Sequence, residues 1–147
     1  MGKFLTPLHS FDYRPYIVDG KIQSDLVVLE SNVIWLDDDY NVHIVPMGFV
    51  FDLASLPWWI MWALEKLGRH QRAAALHDWL YVNQTNSKRW SDLQFRQAMD
   101  HDAVGDWRKW LAWAGPAVGG WFAWRSKDDI LIVDLETMQR LPLYLVK

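Results

Sequence analysis

The residues best placed to do chemistry are His77 and Asp78, followed by Tyr81 and Asp92. An imidazole held by a carboxylate on one ring nitrogen has its tautomer fixed, and its other nitrogen can take a proton from water. His77 and Asp92 each stand about 7.5 residues from the centre of the loop Asn83-Gln84-Thr85-Asn86, so two helices packed antiparallel around it bring them to one level. Asp78 lies about 100° round the helix from His77. It faces a neighbouring sector, where a carboxylate can bind a cation that polarises a substrate. A second carboxylate, Asp52, sits where a β pattern gives way to a helical one, and it can either cap that helix or join Asp78 on a cation. Oxygen donors of this kind suit Ca²⁺, with Mg²⁺ as another divalent choice. Zinc is less well served, because His70 is the other histidine of that helix and no HExxH spacing exists. The plainer alternative is a buried His77–Asp92 hydrogen bond that holds a hairpin together, with Asp78 at the surface and Asp52 or Ser55 as a helix cap.

These residues need elements to position them. Asp25 to Leu29 is a short β-type run. Asn32 to Leu36 and Val42 to Pro46 flank the polar, turn-rich Asp37-Asp38-Asp39-Tyr40-Asn41, which is a hairpin signal. Phe49 to Phe51 carries the β pattern into Asp52. Ser55 then precedes Leu56-Pro57, an N-cap followed by a first-turn proline, and a helix reaches the stop signal at Gly68. A second helix is expected from about Arg69 to Val82, and Ser87 caps a third carrying Trp90, Leu93, Phe95 and Met99. A fourth helical region begins near Asp106 and is split by Pro116. The tail returns to β at Ile130 to Val133 and Leu141 to Val146. This order predicts an α+β fold: an N-terminal antiparallel sheet, a helical hairpin, a Trp-rich helical region and a β-type tail. Residues 1–124 form one domain in this reading, and residues 125–147 an extension packed on it or on a partner.

Composition bounds the chemistry. The 147 residues contain no cysteine, which excludes disulfides, thiolate metal sites and a cysteine nucleophile. A net charge of −3 argues against a chain that works by neutralising phosphates, so no nucleic-acid partner is expected. No signal-peptide pattern is visible at the N-terminus. The longest apolar stretch, Trp110 to Trp124, falls short of the ~20 residues a membrane span requires. Synthesis in the cytoplasm is therefore expected. Eleven tryptophans are many. They demand a core, a protein interface or a membrane surface, with Arg108, Lys109 and Arg125 near lipid headgroups in the last case.

Four separated pieces occur in order: Gly48-Phe49, Asp52-x-x-Ser55-x-Pro57, Ala73-Ala74-x-x-His77-Asp78-x-x-Tyr81 and Asp92-x-x-Phe95. Together they resemble the pattern of a phage- and prophage-associated family, domain of unknown function 1353, over roughly residues 4 to 124. Phe51 stands where that pattern has threonine. A more local resemblance covers about residues 73 to 99. His77-Asp78-x-x-Tyr81-x-Asn83, then Asn86-x-x-Arg89-x-x-Asp92-x-x-Phe95-x-x-x-Met99, is similar to the two catalytic helices of bacterial secreted phospholipases A2. That resemblance implies His77 as general base acting through water, Asp92 as the residue that orients it, Tyr81 as support and Asp78 as a Ca²⁺ ligand.

Three functions follow as expectations. The leading one is a phage-encoded hydrolase of the host envelope, Ca²⁺-dependent and phospholipase A2-like. A second is a non-enzymatic phage structural or tail-accessory protein, made in the host cytoplasm, carried in the virion and bound to other phage proteins through the Trp-rich region. A third is a metal-dependent hydrolase acting on peptidoglycan.

Overall fold

The computed structural model describes residues 1–52, 71–102 and 130–142. The expected first helix with Trp58, Trp59 and Trp62, the Trp-rich region from Asp106 to Trp124, and the end of the Leu141–Val146 run lie outside the described residues.

The fold is α+β, with strands first and a helical hairpin after them. Among the described residues, six strands, β1 (Lys3–Phe4), β2 (Tyr13–Val18), β3 (Lys21–Leu29), β4 (Val33–Leu36), β5 (Val42–Val45) and β6 (Val50–Asp52), precede two helices, α1 (Gln71–Asn83) and α2 (Lys88–His101). The strands make two three-stranded antiparallel sheets, ordered β1-β4-β5 and β2-β3-β6.

The β4–β5 hairpin forms where the sequence places it. Asp37 organises the turn: its carboxylate accepts from the backbone N–H groups of Asp39 and Asn41 and from the ring of His43, at 2.8–2.9 Å. This is a short acidic side chain replacing a backbone partner in a turn. Strands β1 and β2 are not foreseen from apolar runs. β2 and β3 join at Asp19-Gly20, both at positive φ, a two-residue hairpin turn whose backbone matches strand twist.

One face of each sheet meets the helices. Trp35, Val45 and Phe51 from the strands, with Phe49 just before β6, pack with Leu76 and Leu80 of α1 and Met99 of α2. Each such side chain contributes ~1.5–3 kcal/mol on burial. Trp35 is fully buried, and its indole N–H donates to Gln94 Oε1 at 2.8 Å, so its one polar atom is satisfied.

The other face of the β2-β3-β6 sheet is closed by the C-terminal segment. Val28 and Val50 pack there against Val133 and, more loosely, Leu131 and Met138. Val133 N donates to Gly48 O at 2.9 Å, and Val50 N to Leu131 O at 2.9 Å. Gly48 makes this approach possible. Its φ is +85°, and a Cβ there would lie 2.3 Å from the Val133 carbonyl oxygen.

Candidate functional site

Three pairs of residues show that α1 and α2 run antiparallel. Tyr81 meets Lys88 near the loop, His77 meets Asp92 midway, and Arg72 meets Asp102 at the far end. The loop is one residue later than expected, because Asn83 still belongs to α1. Ser87 caps α2, accepting from Trp90 N at 3.2 Å. Buried α2 residues Ser91, Gln94, Phe95, Ala98 and Met99 recur at helical spacing and face inward. Leu93, expected on the apolar stripe, is exposed because it lies two residues, about 200°, from Phe95.

His77 projects from α1 toward α2, with its ring centroid 4.1 Å from that of Tyr81 and 4.7 Å from that of Phe95. Its Nε2 lies 3.1 Å from Asp92 Oδ1. The Tyr81 hydroxyl donates to the same oxygen. Lys88 Nζ donates to Asp92 Oδ2 at 3.1 Å. An ionised carboxylate only accepts, so the neutral imidazole carries its proton on Nε2 and the lone pair on Nδ1. His77 is 2% exposed, whereas Asp92 is 38% exposed.

Electrostatics follow from that packing. Burial pushes the His77 imidazolium below its ordinary range; Asp92 opposes this, and the Lys88 charge adds to it. Partial burial works against ionisation of Asp92, but hydrogen bonds from His77, Tyr81 and Lys88 outweigh it and hold the carboxyl well below the usual range. Burial, then the bond to Asp92, raises the Tyr81 phenol, so it stays a donor. Near neutral pH the arrangement is a neutral histidine, an ionised aspartate and a protonated tyrosine.

The expected metal residues lie on two elements, α1 and β6. Asp78 is half-buried on α1. Asp52 ends β6 with its backbone opposite Leu26, and its side chain is outside the described part. Among the described residues, no group of three or more His, Cys, Asp or Glu gathers as a metal site.

Two contacts escape the sequence reading. Lys88 is legible only as the i,i+4 partner of Asp92, a weak surface signal. Arg72 and Asp102 form a buried ion pair, in which Arg72 Nε donates to Asp102 Oδ2 at 3.2 Å; Arg72 also donates to Thr6 O and lies over the Phe4 ring. Nothing in the pattern of an Arg inside an alanine-rich helix start announces that pairing.

A family model described as "Protein of unknown function (DUF1353)" matches residues 27–116. The chain belongs to this family. The match runs from within β3 through α2, so it includes Gly48, Asp52, His77, Asp78, Tyr81 and Asp92. No curated protein and no solved structure matches the chain. Among the described residues, no helix is long and apolar enough to cross a membrane.

Proposed function

We propose that this chain is a phage-encoded hydrolase of the host envelope, acting on phospholipid esters with His77 as general base. The observation that carries the reading is the shared oxygen of Asp92, which receives both His77 Nε2 and the Tyr81 hydroxyl. That arrangement orients the imidazole, fixes its tautomer and keeps a negative charge beside it for the moment it becomes cationic. The similarity of the hairpin to bacterial secreted phospholipases A2 supplies the reaction. Nδ1 of His77 takes a proton from a water as that water's oxygen adds to the ester carbonyl. The proton passes to the departing alkoxide as the acyl C–O bond breaks, giving a fatty acid and an alcohol. Asp78 is the candidate ligand for Ca²⁺, which would supply charge to the ester carbonyl when bound.

One observation favours a second reading. His77 is 2% exposed, as expected of a group whose work is to hold two helices together. In that case the protein is a non-enzymatic phage structural or tail-accessory component.

The purified chain tests this on phosphatidylethanolamine and phosphatidylglycerol vesicles and on peptidoglycan sacculi, each with Ca²⁺, Mg²⁺ or chelator. Free fatty acid from vesicles is the expected result. Soluble fragments from sacculi alone would transfer the site to peptidoglycan. No product from either would leave the hairpin a structural device.

A further inference from the structure

The sheet edges and faces differ in a way the proposed chemistry does not use. β2 is an edge strand guarded by Pro15, Arg14 and a register shift, and the β6 side is met by the segment around Leu131–Val133. β5 is also an edge, and its four residues, Val42-His43-Ile44-Val45, contain no proline, lysine or carboxylate and pair with β4 without a shift. Asp37 N donates to Asn41 O at 3.0 Å, which sets the ladder so that Val42 and Ile44 turn their N–H and C=O groups away from β4. Ile34 confirms the alternation, since its carbonyl accepts from Leu5 N on the opposite side.

The side chains of the same strand are equally open. Val42 and Ile44 lie opposite Leu36 and Ile34, on the face of the sheet away from Trp35 and Val45, and are 54% and 49% exposed. Tyr40 (84%) and Met47 (53%) flank them. An antiparallel sheet with one solvated face normally alternates apolar and polar residues, and here the outward positions are aliphatic too. In the β2-β3-β6 sheet, β3 and β6 bury residues on both faces; among the described residues, no element covers the outward face of this one.

We propose that β5 pairs with β5 of a second copy, antiparallel about a two-fold axis at His43, to make one continuous six-stranded sheet. Val42 then faces the partner's Ile44, and the exchange satisfies the edge groups of both strands. Charge favours this orientation, although the Met1 amine pairs with Asp38 Oδ1 at 2.8 Å and leaves Asp39 as the open carboxylate of the turn. The acidic Asp38-Asp39 turn lies at one end of β5 and the uncharged Pro46-Met47 at the other, so antiparallel pairing sets each acidic turn beside the partner's Met47, whereas parallel pairing would put the two turns together. Edge pairing buries the backbone of β5 and the flanks of Val42 and Ile44 while the sheet face stays open, less than the ~800 Å² per partner of a stable interface, so a dimer of modest affinity is expected. Pairing runs through the edge of β5, whereas His77 bonds Asp92 within the helical hairpin, so this inference stands whether or not the site hydrolyses lipid.

Sedimentation velocity of the full chain from ~1 to ~300 μM tests it. The expected result is a species whose mass rises toward twice 17.3 kDa with concentration, and which Ile44→Lys and Val42→Lys each return to one chain with the parent's circular dichroism. Ile22→Lys, at the exposed tip of the β2–β3 hairpin, should leave the dimer unchanged. A parent that stays monomeric throughout overturns the proposal, as does a dimer that survives both β5 variants. Flotation of a monomeric parent with phosphatidylcholine vesicles, lost in Ile44→Lys, overturns it and gives the face to lipid.

Discussion

His77 Nε2 lies 3.1 Å from Asp92 Oδ1, and the imidazole is far more deeply buried than the carboxylate that holds it. The pair therefore joins a proton acceptor sheltered from water to an anion that water still reaches. A histidine in that setting resists protonation, and an aspartate with three donors resists neutralisation.

The pair sets how stability depends on pH. Burial lowers the folded pKa of His77, so between that value and the unfolded value near ~6.5 the unfolded chain binds more protons. Stability should rise with pH through that window and level off above it. Asp92 acts lower: its depressed pKa adds stability that is present above ~3.9 and lost as pH falls through the folded value. Urea midpoints at successive pH values should show both slopes. His77→Gln should flatten the upper slope and, by removing the imidazole from Asp92, weaken the lower one; an unchanged upper slope would show that His77 protonates as readily folded as unfolded.

Tyr81→Phe removes one of the two donors to Asp92 Oδ1. Water can replace it at a half-exposed carboxylate, so the loss of stability should be about 1 kcal/mol or less. The side-chain carboxyl carbon of Asp92, followed by NMR, should titrate at a higher pH than in the parent. An unmoved titration would mean the hydroxyl does not hold that oxygen in solution.

How much of this was legible in the sequence differs by element. The His77–Asp92 level follows from helical rise and a short loop, two quantities that tertiary context hardly alters. The β4–β5 hairpin is marked by its aspartates. β2 lacks an apolar run of its own, and the Asp19-Gly20 turn is its better marker. Leu93 misleads because a leucine within a helix reads as core until the phase of the stripe is fixed by Phe95 and Met99. Asp78 and Asp52 are legible as carboxylates on a helix and at a strand end, positions that do not by themselves say what they bind.

Asp78 gives a separate prediction. If it contributes to Ca²⁺ binding by the native state, millimolar Ca²⁺ should raise the melting temperature. Asp78→Asn should remove most of that shift and melt near the parent in chelator. A parent indifferent to Ca²⁺ would take calcium out of the account and leave the His77 base to act alone.

The buried Arg72–Asp102 pair ties the start of α1 to the residue after α2. Arg72→Met strands the Asp102 carboxylate and should cost ~3–5 kcal/mol. Arg72→Met with Asp102→Leu should recover much of that, because no unpaired charge remains. A double-mutant cycle in urea measures the coupling, and strict additivity would contradict it.

Gly48→Ala should unlatch the C-terminal segment. A Cβ would strike the Val133 carbonyl and strain a φ of +85°. The cost should be ~1–3 kcal/mol, with faster amide exchange at Val133, whose N–H donates to Gly48 O. Unaltered exchange there would show that the chain relieves the clash elsewhere.

The most direct measurement is the initial rate of fatty-acid release from phospholipid vesicles by the parent and by His77→Gln, with folding of both verified by circular dichroism. Glutamine keeps most of the volume and some hydrogen bonding but cannot act as a base. The account predicts measurable release by the parent and a fall of ~10²-fold or more in the variant, the usual size of a general-base contribution. Equal rates in the two proteins, or no release by the parent under any metal condition, would contradict it.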